Sequence, residues 1–241
     1  MTHLTSIRKS ASGQPESRRL SLFQSPIGKK LLTGITGLGL VLFVIAHVLG
    51  NLLMFVSLEA FNAYAHLLEQ LKPLMIAFEI ALTVTLLLHA GLGIWLYLSR
   101  RNARPVGYET YQSAGQPSRQ TLSSRSMIMT GLTLGGFLVW HLTNLKFGPW
   151  YITEQGGEPI RDLARLVIET FQRPLDTTLY IAVMIFLGFH LRHGIWSALQ
   201  SLGALTKGMQ VGAYSVGVVM SVAIAAGFII LPLAIFFGFI S

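Results

Sequence analysis

The chain has 241 residues, of which 52% are hydrophobic and only 12% charged, with a mean hydropathy of +0.58. Soluble domains carry roughly a quarter charged residues, so a water-exposed globular fold is excluded as the main reading. Net charge is +8, yet the basic residues gather at the ends of apolar blocks, which is how positive charge orients membrane spans and not how it lines a nucleic-acid groove.

Nucleic acid is therefore not an expected partner, whereas membrane lipid is. The chain has no cysteine, so disulfides, Cys-held iron–sulfur clusters and covalent c-type attachment of haem are all ruled out. Any redox cofactor has to be held by His, Met or Tyr.

Residues 1–30 read as a polar cytoplasmic arm without the apolar core of a secretory signal, and residues 31–241 as one membrane domain. The first span is expected over Leu31–Val56, after the helix-start pair Ser25-Pro26 and Lys29, Lys30. EAFNAYAHLLEQL, from Glu59 to Leu71, has helical periodicity and reads as a short interfacial helix. A second span covers Leu74–Leu98, opened by Pro73 and closed by Arg100, Arg101 and Arg104-Pro105, and a third covers Ser126–Leu145. The fourth, Thr177–Leu202, is entered through Pro174 and left at Gly203; the fifth, Val211–Ile240, carries an expected kink at Pro232. Each block is long enough for the ~20 helical residues that cross a bilayer. The expected fold is an all-α integral membrane protein with five transmembrane helices and no evident internal repeat.

Loop charge sets the expected orientation. Residues 1–30 carry six basic residues and one acidic, and 100–125 five and one; 57–73 carry one basic and two acidic, and 146–176 four and five. The Lys/Arg excess puts the arm and the second loop in the cytoplasm, and the C-terminus outside.

His47, His89 and His141 lie in the first three spans, and His190 and His193 both in the fourth. A single intramembrane His commonly just bonds a neighbouring helix, but one in each of four consecutive spans points to a shared task. His47 and His141 enter 17 and 16 residues from Lys30 and Arg125, about 24–26 Å from the cytoplasmic face at 1.5 Å per residue. His89 is 11 residues from Arg100, and His190 and His193 are 13 and 10 from Gly203, hence about 15–20 Å deep. They sort into an outer and an inner pair. Facing imidazoles suit six-coordinate haem iron, and small neighbours (Ala46, Gly50, Ala90, Gly91, Gly93, Gly188, Gly194) leave room for a flat macrocycle. The expected arrangement is a bundle of the first four helices enclosing two b haems.

Two rival readings stay open. Zinc sites gather three or four ligands at one centre, whereas these histidines divide by twos. A proton-coupled transporter usually recruits intramembrane acids, and Glu79, ~9 Å below the outer end of its span, is the acid placed well inside one.

Several stretches resemble the cytochrome b subunit of succinate:quinone oxidoreductases, in its single-chain, five-helix, two-haem form. They are SPIGKKLLTGITGLGLVLFVIAHVLGNLLMF (25–55), FNAYAHLLEQL (61–71), HAGLGIWLYLSRRNARPVGY (89–108) and HLRHGIWSALQSLG (190–203). The resemblance covers most of residues 25–240 and is weakest over 146–176. It implies an anchor, in the cytoplasmic membrane, for a flavoprotein subunit and an iron–sulfur subunit of succinate dehydrogenase or fumarate reductase. Electrons would pass through two haems to or from a quinone, usually menaquinone, and the resemblance leaves open a homo-oligomer of the whole complex. It assigns His47 and His141 to the outer haem and His89 and His190 to the inner one.

Depth alone slightly favours His193 over His190; the family spacing to Gly194 and Gly203 favours His190. His193 and Arg192 would each then bond a haem propionate, or else a neighbouring helix and the membrane surface respectively. Glu69 falls where the family carries its distal quinone-site carboxylate, 22 residues after His47, with His66 one turn earlier on the same face; the plain alternative is a solvated loop acid. Gly188 stands where some fumarate reductases carry a Glu, which puts compensating proton transfer in doubt. The anchors of formate dehydrogenases and hydrogenases would use similar His pairs and remain an alternative.

Overall fold

The computed structural model describes residues 25–103, 122–204 and 206–241. The arm, His3 and the Arg104-Pro105 exit lie outside them. The described chain is mostly helical. Helix α1 (Pro26–Leu52) starts where Ser25-Pro26 predicts: the Ser25 hydroxyl accepts from the Gly28 amide at 2.9 Å, and Pro26 occupies the first position, where no N–H is needed. A 3₁₀ turn (Leu53–Phe55) leads into the expected loop helix α2 (Leu58–Gln70), capped by Ser57 accepting from Ala60 at 3.0 Å. Helix α3 (Lys72–Ala103) follows, then the single turn α4 (Leu122–Arg125) and α5 (Met127–His141), which continues as a π turn over Leu142–Lys146.

The loop beyond is more structured than the sequence reading foresaw. Strands β1 (Ile152–Gln155) and β2 (Glu158–Arg161) pair antiparallel with Gln155 opposite Glu158. Gly156 and Gly157 close the hairpin at φ 63° and 84°, the double positive-φ conformation that a tight two-residue turn requires and that glycine tolerates best. Asp162 caps α6 (Leu163–Phe171) by accepting from Arg165 at 3.1 Å. Helices α7 (Pro174–Ser201) and α8 (Gln210–Phe236) complete the chain, and Pro232 lies within α8.

Among the described residues, four stretches are long and apolar enough to cross a membrane: Pro26–Phe55, Lys72–Ala103, Pro174–Ser201 and Gln210–Phe236. The expected third span differs from them. Regular α5 has only 15 residues, about 22 Å of rise, before the ladder loosens into the π turn directly after His141. On α3 no residue is buried, although Leu74, Ile80, Leu87 and other large apolar side chains stand exposed. Water does not favour a contiguous apolar surface of this kind; lipid does.

In the bundle α1 packs against α3 and α7, α5 packs against α7 and more lightly against α3, and α8 lies along α7 and α1. Helices α1, α3, α5 and α7 thus form a ring, with α1 opposite α5 and α3 opposite α7. At one end, α2 and α6 build a cap. Met54, Phe61, Ala164, Val167, Ile168 and Phe171 pack there with Tyr180, Leu231 and Ile235, and apolar burial of this kind is worth roughly 1.5–3 kcal/mol per large side chain. Asn62 locks the cap: its amide donates to Asp162 Oδ1 at 2.9 Å, and its carbonyl accepts from the Ala164 amide at 2.9 Å.

Candidate functional site

The ring brings four of the predicted histidines together in twos, across both diagonals. His47 of α1 faces His141 of α5 with ring centres 5.8 Å apart and planes at 88°. His89 of α3 faces His190 of α7 at 6.2 Å and 72°. His193 sits one turn nearer the end of α7, so His190 is the residue set opposite His89.

These separations can be tested against a haem. An imidazole nitrogen binds a first-row metal at about 2 Å and lies roughly 1 Å from its ring centre, so two rings on opposite sides of one iron have centres about 6 Å apart. Both pairs meet that spacing. The donor atoms also fit. His89 Nδ1 is 3.2 Å from the Thr33 carbonyl oxygen and 3.3 Å from Thr36 Oγ1; a carbonyl only accepts, so Nδ1 carries the proton and Nε2 is left with its lone pair. His190 Nδ1 lies 3.2 Å from Thr130 Oγ1, and His141 Nδ1 3.2 Å from the Tyr180 hydroxyl. Phe43 stacks on His47 at 5.4 Å, and Phe137 lies 5.5 Å from His141. Among the described residues, the His, Asp and Glu side chains form no cluster of three or more able to hold a metal ion unaided; the histidines stand in twos.

The other predicted residues have partners. Arg192 donates to the Tyr214 hydroxyl on α8. Glu79 pairs with Lys146, joining α3 to the end of the π turn. Gly188 lies so close to α8 that a Cβ there would meet Ala225 Cβ at 3.2 Å, so a glutamate at this position would require α8 to shift.

At the cap end, Glu69 and Gln70 are exposed on α2. His66 Nε2 is 3.0 Å from the Gln70 amide nitrogen, which only donates, so His66 Nε2 accepts and Nδ1 bears the proton. That Nδ1 is buried without a partner, and so is Nε of Arg161. Arg161, which sequence reasoning missed, donates to the Leu145 carbonyl at 2.9 Å and lies over the Trp150 ring at 4.4 Å. Burial lowers its pKa from the ordinary guanidinium value, and the nearby Glu69 carboxylate raises it. Two buried donors without acceptors are costly to leave unmet, and they suit a ligand with acceptor oxygens.

Glu169, on α6, differs from Glu69. It accepts from the Tyr151 hydroxyl at 2.6 Å and from Arg165 Nε at 2.8 Å, bonds that hold its pKa below the usual carboxylate value. Both bonds tie its carboxylate to neighbouring side chains.

No protein-family profile, curated protein or solved structure matches the chain. The functional reading therefore rests on the residues and their geometry. Sequence reasoning found the histidines but missed Thr36, Thr130, Tyr180 and Arg161. All four act by facing a residue on another element, and no local pattern announces that.

Proposed function

We propose that the chain is the dihaem cytochrome b anchor of a succinate:quinone oxidoreductase, set in the cytoplasmic membrane with five spans. α5 and its π turn supply the third span. The observation that carries the reading is the pair of facing histidines on each diagonal of one bundle. His47 with His141 would hold one haem and His89 with His190 the other. Bound haem supplies one-electron carriers at two depths. The chain's own residues hold the imidazoles in register, exclude water from between the helices, and present Glu69, His66 and Arg161 at the cap end.

Quinone reduction takes up two protons and quinol oxidation releases them, so a quinone site needs a proton-exchanging group in reach of water. Glu69 is exposed at that end. The unpartnered donors of His66 and Arg161 would bond quinone carbonyl oxygens. A flavoprotein and an iron–sulfur subunit would dock at the opposite, cytoplasmic face.

The decisive test is a reduced-minus-oxidised optical spectrum of the purified protein with haem quantified per chain, together with co-purification of a flavoprotein that oxidises succinate. Two b haems per chain are expected. A colourless protein would refute the reading, and a different dehydrogenase partner would move the chain to another class of anchor.

Orientation is tested separately. Cysteines introduced at Ser12 and Ser113, both outside the described residues, are expected to resist an impermeant thiol reagent in intact cells, whereas one at Gln155, at the end of β1, reacts. The reverse pattern would invert the topology.

A further expected result concerns packing. A Cβ on Gly37 would stand 3.0 Å from His89 Cε1, and one on Gly131 3.4 Å from His190 Cε1. Gly37→Ala is therefore expected to displace the His89 ring and lower inner-haem occupancy, whereas Gly131→Ala retains both haems. Haem-to-protein ratios of the two variants check this.

A further inference from the structure

The geometry reveals a repeat that the sequence reading did not see. Thr36, Gly37, Phe43 and His47 on α1 are matched by Thr130, Gly131, Phe137 and His141 on α5, each pair 94 positions apart. His89, Gly93, Ile94 and Trp95 on α3 are matched by His190, Gly194, Ile195 and Trp196 on α7, each pair 101 positions apart.

The matched residues also do matched things. Thr36–Gly37 of α1 abuts the ring of His89, and Thr130–Gly131 of α5 abuts the ring of His190. In both copies the threonine touches Nδ1 and the glycine leaves space beside Cε1. Phe43 and Phe137 likewise each lie against the histidine one turn on in their own helix. Two copies of one helix pair thus enclose the site.

We infer that Thr36 and Thr130 are positioning residues of the inner pair: their hydroxyls accept the Nδ1 proton of His89 and His190, holding each Nε2 toward the centre as a metal-binding lone pair. The proton inventory supports this. A threonine hydroxyl has one proton. Thr36 Oγ1 lies 2.8 Å from the Leu32 carbonyl, and Thr130 Oγ1 lies 3.0 Å from the Ser126 carbonyl. With that proton given to its own helix backbone, the oxygen faces the imidazole as an acceptor.

Both inner rings are thereby held in the same tautomer. An Nδ1–H donating to oxygen also makes the imidazole a stronger electron donor, which stabilises an oxidised metal relative to a reduced one. The two copies are not equal, however. His89 has a second acceptor in the Thr33 carbonyl at 3.2 Å, whereas Thr130 is the acceptor found for His190. Among the described residues nothing comparable serves the outer pair: His141 faces a tyrosine hydroxyl that can donate or accept, and no such contact is found for His47 Nδ1.

This inference rests on the dihaem reading, and its test separates the two. Valine matches threonine in shape but lacks the oxygen, and serine restores it. Redox titrations followed optically, with low-temperature EPR, are run on the intact protein and on Thr130→Val, Thr130→Ser and Thr36→Val, with the outer haem as internal control for folding. Thr130→Val is expected to raise the inner midpoint potential, changing the reduced-to-oxidised ratio at least tenfold at fixed potential, about 59 mV for one electron. Its inner EPR signal is expected to shift as the ring is freed, while the outer haem is unchanged. Thr36→Val is expected to do less, because Thr33 remains, and Thr130→Ser to restore the wild-type values. Loss of the inner haem alone in Thr130→Val, with rescue by serine, supports the same role. Two haems in the wild type with an inner potential indifferent to Thr130→Val would overturn this inference and leave the parent reading standing. A wild type with no haem would overturn both.

Discussion

Replacing His47 or His141 with alanine is expected to halve the haem content by emptying one site, and replacing His89 or His190 to empty the other, leaving a single b haem in each variant. The expectation follows from the pairing across the bundle. Each ring faces one partner at 5.8 or 6.2 Å, so each haem would be held by two imidazoles, and removing one would take away half of its protein ligands. The two sites should be lost independently, because no histidine is shared between the pairs. His193→Ala is expected to keep both haems, since His190 is the ring that faces His89. Haem extraction with optical spectra of each variant reads the result. Loss of a haem in His193→Ala together with its retention in His190→Ala would reverse the assignment on α7.

The second large effect is expected at the cap end. Glu69→Gln keeps size and polarity but removes the ionisable carboxylate, and quinone-linked turnover is expected to fall at least a hundredfold, the scale of a lost general acid–base group. Both haems, and succinate oxidation with an artificial acceptor, should survive, because Glu69 is exposed on α2 and lies outside the histidine ring. Glu169 accepts from Tyr151 and Arg165, whereas Glu69 is exposed on α2, three residues after His66, whose Nδ1 is a buried donor without an acceptor. Quinone turnover at the wild-type rate in Glu69→Gln would place the quinone elsewhere, for instance at the cytoplasmic face.

The long helices were legible because they rest on local information. Apolar blocks of bilayer length, Ser25-Pro26 and Pro174 at helix starts, and Arg100 and Arg101 at an exit are readable from neighbouring residues alone. The third block shows the limit of that reading. Ser126–Leu145 is apolar enough to be drawn as one span, yet regular α5 stops at His141 and the chain continues as a π turn. The hairpin and α6 are also written locally, in Gly156-Gly157 and in Asp162 ahead of an amphipathic stretch, but they lie in a charged stretch between apolar blocks and carry no hydropathy signal of their own.

Sequence by itself determined that this chain is built of apolar helical blocks, four of them carrying one or two histidines each, and where along each block those histidines fall. Helical rise is nearly constant, so position in sequence converts directly into depth. Only the tertiary structure decided which rings face each other, that His190 and not His193 stands opposite His89, that Thr36 and Thr130 come within hydrogen-bond distance of Nδ1 of His89 and His190, and that Arg161 comes near Glu69. Those relations depend on the rotation and lateral packing of one helix against another, which are set by contacts between residues some 50 to 100 positions apart. The repeat of α1–α3 in α5–α7 was hidden for the same reason. Its few matching residues are scattered among interchangeable apolar ones, and they become a pattern only when both copies are seen closing on one centre.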